Sequence, residues 1–195
     1  MALPLRRRRN DRSRGQSLAE FALVFPFFLV ILFGVIEFAF VFNAYLSIDF
    51  ATRDAALAAV EAGNETGADC SILRAFERSI AAPADKGSIT QVRIFKASTT
   101  GAMLVPKNVY TRTGSTPCQD GLGSVPYSAS STTYPESSRC NVLAGCGPGS
   151  LTVDTIGVEI TYTYTWKTPL ARLLPTAGPG YTMIKANAMR MEPVL

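Results

Sequence analysis

The sequence predicts an α+β protein in which a long N-terminal transmembrane helix continues into a domain with an antiparallel sheet and a long disulfide-bearing loop. Three observations carry this. Residues 21–42, FALVFPFFLVILFGVIEFAFVF, hold a single charged side chain, Glu37, in a run long enough to cross a bilayer. Residues 151–166 alternate apolar and polar side chains with a period of two, the pattern of a half-buried strand. All four cysteines, Cys70, Cys118, Cys140 and Cys146, follow the apolar run.

The chain of 195 residues suffices for one anchor and one modest domain. Its net charge of +4 is local. Residues 1–14 carry six arginines (Arg6, Arg7, Arg8, Arg9, Arg12 and Arg14) against Asp11, leaving 13 Lys+Arg and 14 Asp+Glu for the rest. A near-neutral remainder lacks the basic face that nucleic-acid binding requires, so no nucleic-acid partner is expected. Histidine is absent, which excludes Ser-His and Cys-His catalytic pairs. No phosphate-loop or metal-ligand spacing stands out, so no cofactor, no metal and no enzymatic activity are expected.

The 22 apolar residues would span about 33 Å as a helix, against a hydrocarbon core of about 30 Å. A signal peptide core is shorter and is followed by a small-residue cleavage site, which this sequence lacks. Arginines immediately before the run place the N-terminus in the cytoplasm and everything beyond about residue 45 outside. The expected divisions are a basic leader over 1–15, a transmembrane helix over 16–43, a continuing amphipathic helix over 44–63 and an extracytoplasmic α+β domain over 64–195. Pro26 removes one helix hydrogen bond and predicts a local bend. Glu37 lies about 30 Å from Leu18, near the outer interface, either as an ordinary helix-end residue or as a contact to a partner helix.

Beyond the membrane, Ile48, Ala51, Ala55 and Ala58–Ala59 recur at helical spacing, and Gly63-Asn64 ends the helix. A second helix is expected with Asp69 as its cap, Ile72, Leu73, Phe76 and Ile80 on one face, and Pro83 past its end. Strands are expected over 89–96, 107–112, 151–166 and 181–191, with a helical turn from Pro169 to Leu174. The aromatic stripe of 151–166 reads as core, and its threonine face as solvated. Residues 111–150, rich in Gly, Ser, Thr and Pro, read as a long loop restrained by disulfides or as an exposed linker. Four cysteines allow three pairings. Cys70–Cys118 with Cys140–Cys146 is the one placed first.

At the membrane edge the order is arginine-rich leader, Gly15, then Gln16-Ser17-Leu18-Ala19-Glu20-Phe21 and the apolar run. This resembles the processing site of type IV prepilins, in which a peptidase cuts after the glycine and a glutamate stands fifth in the mature chain. The cut would fall between Gly15 and Gln16. Glycine lets an extended backbone enter a protease groove. The new amine at Gln16 would sit near the hydrocarbon, where a charge needs a partner, and Glu20 of a neighbouring helix could supply it. Taken alone, Glu20 is equally an interfacial carboxylate favoured by a helix dipole.

The likeness extends through Gly15-Gln16-Ser17, Glu20-Phe21, Pro26, Phe33-Gly34, Ile36-Glu37-Phe38, Tyr45 and Arg53-Asp54-Ala55-Ala56. Over residues 14–56 the chain is similar to TadE-like proteins, minor pilins or pseudopilins of the tight-adherence (Tad) pilus system. Family members often have a glycine and a second arginine where this chain has Ala56 and Leu57. The resemblance implies a pilin-like fold and a role in assembling a Tad-type pilus for surface attachment or associated export. It assigns Gly15 and Gln16 to processing and Glu20, Phe21 and Glu37 to assembly. It implies as partners a prepilin peptidase, other pilin-class subunits including the major pilin, the inner-membrane assembly platform and membrane lipid. The alternative is a signal-anchored extracytoplasmic domain that binds a ligand or partner and never enters a pilus.

Overall fold

In a computed structural model, residues 12–118, 121, 123–141, 146, 153–169 and 178–191 are described. Helix α1 runs unbroken over Arg12–Ala62, through Pro26. Its two halves meet different surroundings. From Gly15 to Ile36 no side chain is buried. From Glu37 onward a stripe of Glu37, Ala44, Ile48, Ala51, Thr52, Ala55 and Ala59 is buried, each three, four or seven residues from another of the set and so on one helix face. The small alanines let α1 approach β6 and β7 closely, and α2 packs against the same half of α1. Thr52 satisfies its buried hydroxyl by donating to the Ile48 carbonyl at 2.6 Å. Gly63 ends the helix with a φ of 55°, and a Cβ there would collide with Asn141.

Helix α2 covers Ala68–Ser79 and buries Ile72, Leu73 and Phe76, with Ile80 buried just past its end. The strands are β1 (Ile89–Ala97), β2 (Met103–Thr111), β3 (Thr116–Pro117), β4 (Ser124–Val125), β5 (Ser128–Thr132), β6 (Thr155–Thr165) and β7 (Gly180–Arg190). Five of them form an antiparallel sheet in the order β5-β2-β1-β6-β7, and β3 pairs with β4 in a separate ribbon. On β6, Ile156, Val158, Ile160, Tyr162 and Tyr164 are buried and join the core, while Glu159, Thr161 and Thr163 on the other face are half-buried. Gly157 stands opposite Phe95, whose ring lies where a Cβ at 157 would be.

Three expectations are corrected. The strand expected at 107–112 begins at Met103, and its register against β1 skips 104–106, so Pro106 is not required to donate there. The segment 111–150 is not a bare loop or linker. It supplies β5 as the sheet's edge strand and buries Tyr127 and Tyr134 completely, giving a Ser/Thr-rich stretch the apolar mass to dock. Asp69 does not cap α2. Gly67 occupies that position, and the Glu136 carboxylate accepts from the Gly67 and Asp69 amides at 2.8 and 2.7 Å. Asp69 is thereby free to turn inward, where it pairs with the fully buried Arg139 and accepts from Asn108 (2.7 Å) and Tyr110 (2.5 Å). The helical turn expected over Pro169–Leu174 lies almost wholly outside the described residues.

Cys70 is joined to Cys118 and Cys140 to Cys146. The first bond ties α2 to the β3–β4 ribbon across a separation of 48 residues. In a chain-entropy account, closing a loop of that size stabilises by about 4 kcal/mol.

Because Ala55 is fully buried under the sheet and α2, Ala55→Leu should overpack that contact and cost about 1–3 kcal/mol. Leu57→Ala, at a position 49% exposed, should change stability by less than about 0.5 kcal/mol. Urea unfolding of the solubilised protein, followed by circular dichroism, measures both.

Candidate functional site

Two places on α1 hold the residues singled out from the sequence. At the N-terminal end, Gly15, Gln16, Glu20 and Phe21 are all exposed. A Cβ at Gly15 would touch nothing within 4 Å, so the backbone there is open to an approaching groove. Gln16 and Glu20 are one helical turn apart, and the Gln16 side-chain amide donates to Glu20 Oε1 at 3.1 Å. Phe21 stacks obliquely on Phe25, centroids 5.2 Å apart. This end is an exposed helix surface on which the Glu20 carboxylate stands beside residue 16.

The second place is the junction at Glu37. Counting from Gly15, Glu37 is the first buried side chain of α1, at 4% exposure. Both carboxylate oxygens are engaged within the chain. Oε1 accepts from the Tyr164 hydroxyl at 2.5 Å and the Lys167 amide at 3.0 Å, and Oε2 accepts from the Thr168 amide at 2.6 Å. Hydrogen bonds to a charged acceptor are worth about 1.5–3 kcal/mol each, and a buried carboxylate without donors would be costly. Burial, followed by the hydrogen bond and charge of Glu37, holds the Tyr164 phenol well above its ordinary pKa, so it remains a donor. Glu37 is thus bonded within its own chain. α1 continues for 25 residues beyond Glu37, to Ala62.

The cluster of Asp69, Asn108, Tyr110, Tyr134, Arg139 and Asp154 is internally bonded and closes over the β5 side of the sheet. Glu77 pairs with Arg112 and accepts from the Tyr127 hydroxyl at 2.5 Å. Beside them lies a cavity of about 300 Å³, walled by Leu73, Tyr110, Val125, Tyr127 and the Cys70–Cys118 bond. Among the described residues no group of three or more His, Cys, Asp or Glu side chains could hold a metal ion. The roles of Glu136 and Arg139 had no signal in the sequence, because both lie in a Ser-rich stretch without periodicity. Glu37 did have one, as the lone charge in its run, but its partners stand 127 to 131 residues away.

Residues 15–57 match the family model described as TadE-like protein. The matched stretch is α1 from the open glycine through the Glu37 junction and most of the alanine stripe; it stops short of α2 and the sheet. The family is associated with Tad pilus systems. No curated protein and no solved structure matches the chain.

Removing the Glu37 carboxylate should free the end of β6. In Glu37→Leu, the Lys167 and Thr168 amides lose their acceptor, and the exposed Lys167–Thr168 peptide should become a trypsin site. Loss of two charge-assisted bonds predicts at least about a tenfold faster cut there than in the wild-type chain. Limited trypsin digestion read by mass spectrometry checks it; an unchanged rate would mean other contacts hold that peptide.

Proposed function

Proceeding from the TadE-like segment over residues 15–57, we propose that this chain is a minor pilin or pseudopilin that takes part in assembling a Tad-type pilus. The observation that carries the reading is the first half of α1. It is unburied throughout and apolar on every side from Phe21 to Ile36, with Leu18, Phe21, Leu23, Phe27 and Ile31 each more than 60% exposed. Such a surface is stable only in lipid or against other apolar helices. Among the described residues one helix is long and apolar enough to cross a membrane, which fits a single-pass anchor. The N-terminus is inside, the domain is outside, and bilayer and pilus shaft are alternative solvents for the same helix.

Processing follows from the open Gly15. A prepilin peptidase cuts between Gly15 and Gln16, removes the arginine leader and leaves the anchor whole. The amine thus formed ordinarily titrates near pH 8, so most of it is charged at neutrality. Glu20 of an adjacent subunit offers the countercharge and sets the helix register, while the inner-membrane platform and the major pilin are the further partners. The role is structural rather than catalytic, in line with the family.

The test is the mature N-terminus. Mass spectrometry of the membrane protein from cells with an active prepilin peptidase should start at Gln16, and Gly15→Val should stay full length. A native chain that keeps residues 1–15 would favour a signal-anchored binding domain instead. Glu20→Ala, at equal membrane abundance, should co-purify with pilin-class partners about tenfold less well, equivalent to about 1.4 kcal/mol for a screened pair at the membrane edge. Undiminished co-purification would reduce Glu20 to an interfacial helix-start residue.

A further inference from the structure

The Glu37 bonds fix more than the end of a strand, because they set the height of the domain along the anchor. Lys167 and Thr168 are bonded to a carboxylate whose position on α1 is known. From Leu18 to Glu37 the helix rises about 29 Å, close to the thickness of a hydrocarbon core. If the span begins at Phe21 instead, Glu37 lies about 6 Å inside the outer boundary. In both registers Glu37, and with it the lower end of the sheet, falls within about 6 Å of that boundary. The headgroup layer on each side is about 5–7 Å deep.

The side chains at that end suit such a layer. Trp166 lies just past the end of β6, two residues after Tyr164; its ring meets Tyr164 edge-on at 6.0 Å, and its indole N–H donates to the Gly178 carbonyl at 3.1 Å. Trp166 is half-buried, leaving part of the ring exposed. Tyr181 is the cross-strand partner of Tyr164, so it lies on the same side of the sheet and at the same height, and it is 57% exposed. Lys167 is exposed between them in the chain. On the helix, Phe38 and Phe42 stack on one another and are 68% and 51% exposed at the same level or one turn above. Tryptophan and tyrosine concentrate at membrane interfaces, where an apolar ring and a polar edge are both satisfied, and lysine reaches from there to phosphate.

We propose that the lower end of the β6–β7 pair, through Trp166, Lys167 and Tyr181, rests in the headgroup layer of the membrane that α1 spans, so that the domain is held against the lipid surface and does not swing free on its helix. The proposal rests on the reading of α1 as a membrane span. Its partner is the phospholipid bilayer itself. A subunit leaving the membrane for a pilus must give up this contact.

Trp166 is the only tryptophan in the chain, so it reports its own depth. The full chain is reconstituted into phosphatidylcholine vesicles containing some phosphatidylglycerol, with nitroxide-labelled lipids carrying the quencher at the headgroup or near the chain end. Headgroup nitroxide should quench Trp166 at least about twice as strongly as the deep nitroxide, as an interfacial ring requires. A Trp166→Phe/Phe28→Trp chain should show the reverse order, which independently reports that α1 is inserted. The proposal is overturned if the Phe28→Trp chain is quenched from the deep position while Trp166 responds to neither label. It is equally overturned if Trp166 is quenched more strongly from the deep position. Loss of deep quenching in the Phe28→Trp chain would remove the membrane span and this contact together. The pilin reading is judged separately, by the mature N-terminus.

Discussion

A single continuous helix has to be soluble in two media, and the carboxylate of Glu37 stands where they change. Below it, from Gly15 to Ile36, no side chain is buried; above it one face is buried under a sheet. A helix end is the usual place for such a change, because its free amides and carbonyls can be turned to a new partner. Here there is no end. The change is made by a side chain that accepts three hydrogen bonds from the far end of the domain, and those bonds fix where the sheet sits along the helix.

The rest of the domain follows from that placement. Once β6 is held beside α1, its buried stripe of Ile156, Val158, Ile160, Tyr162 and Tyr164 needs a smooth partner, and the alanines of α1 provide one. Lys185 on β7 reaches over the Tyr45 ring, 3.6 Å from its centroid, and stands 3.8 Å from Asp49, binding the edge of the sheet to the helix as well. The opposite edge has no long helix to lean on. It is held by β5, by the Cys70–Cys118 bond and by the buried Arg139–Asp69 pair. A buried ion pair adds little over apolar packing, yet losing one partner strands the other charge and costs about 3–5 kcal/mol. That asymmetry makes the β5 side specific in geometry with few apolar residues.

Much of this was legible in the sequence where periodicity is strong. The anchor, the alanine stripe, the alternating β6 and the glycine that ends α1 all have local signals. What failed to show was long-range. Asp69 reads as a helix cap because Asp before an apolar run usually is one; only the fold brings Glu136 to that helix start and releases Asp69 inward. The strand β5, SASST, has no apolar alternation, and its place is set by Tyr127 and Tyr134 on either side. Of the candidate sites, Gly15, Gln16, Glu20 and Phe21 were recognisable as a local motif. Glu37 was recognisable as unusual, but its partner was not, since nothing in a lone carboxylate says which distant amide will find it.

Glu37 is coupled directly to the foot of the sheet through Tyr164, and a double-mutant cycle measures that coupling. Urea unfolding of wild type, Glu37→Gln, Tyr164→Phe and the double variant in the same micelles isolates the pair from other effects. A hydrogen bond from a buried phenol to a carboxylate predicts an interaction energy of about 1.5–3 kcal/mol. Additive effects, with a coupling within about 0.3 kcal/mol of zero, would contradict the account and leave the sheet positioned by apolar packing alone.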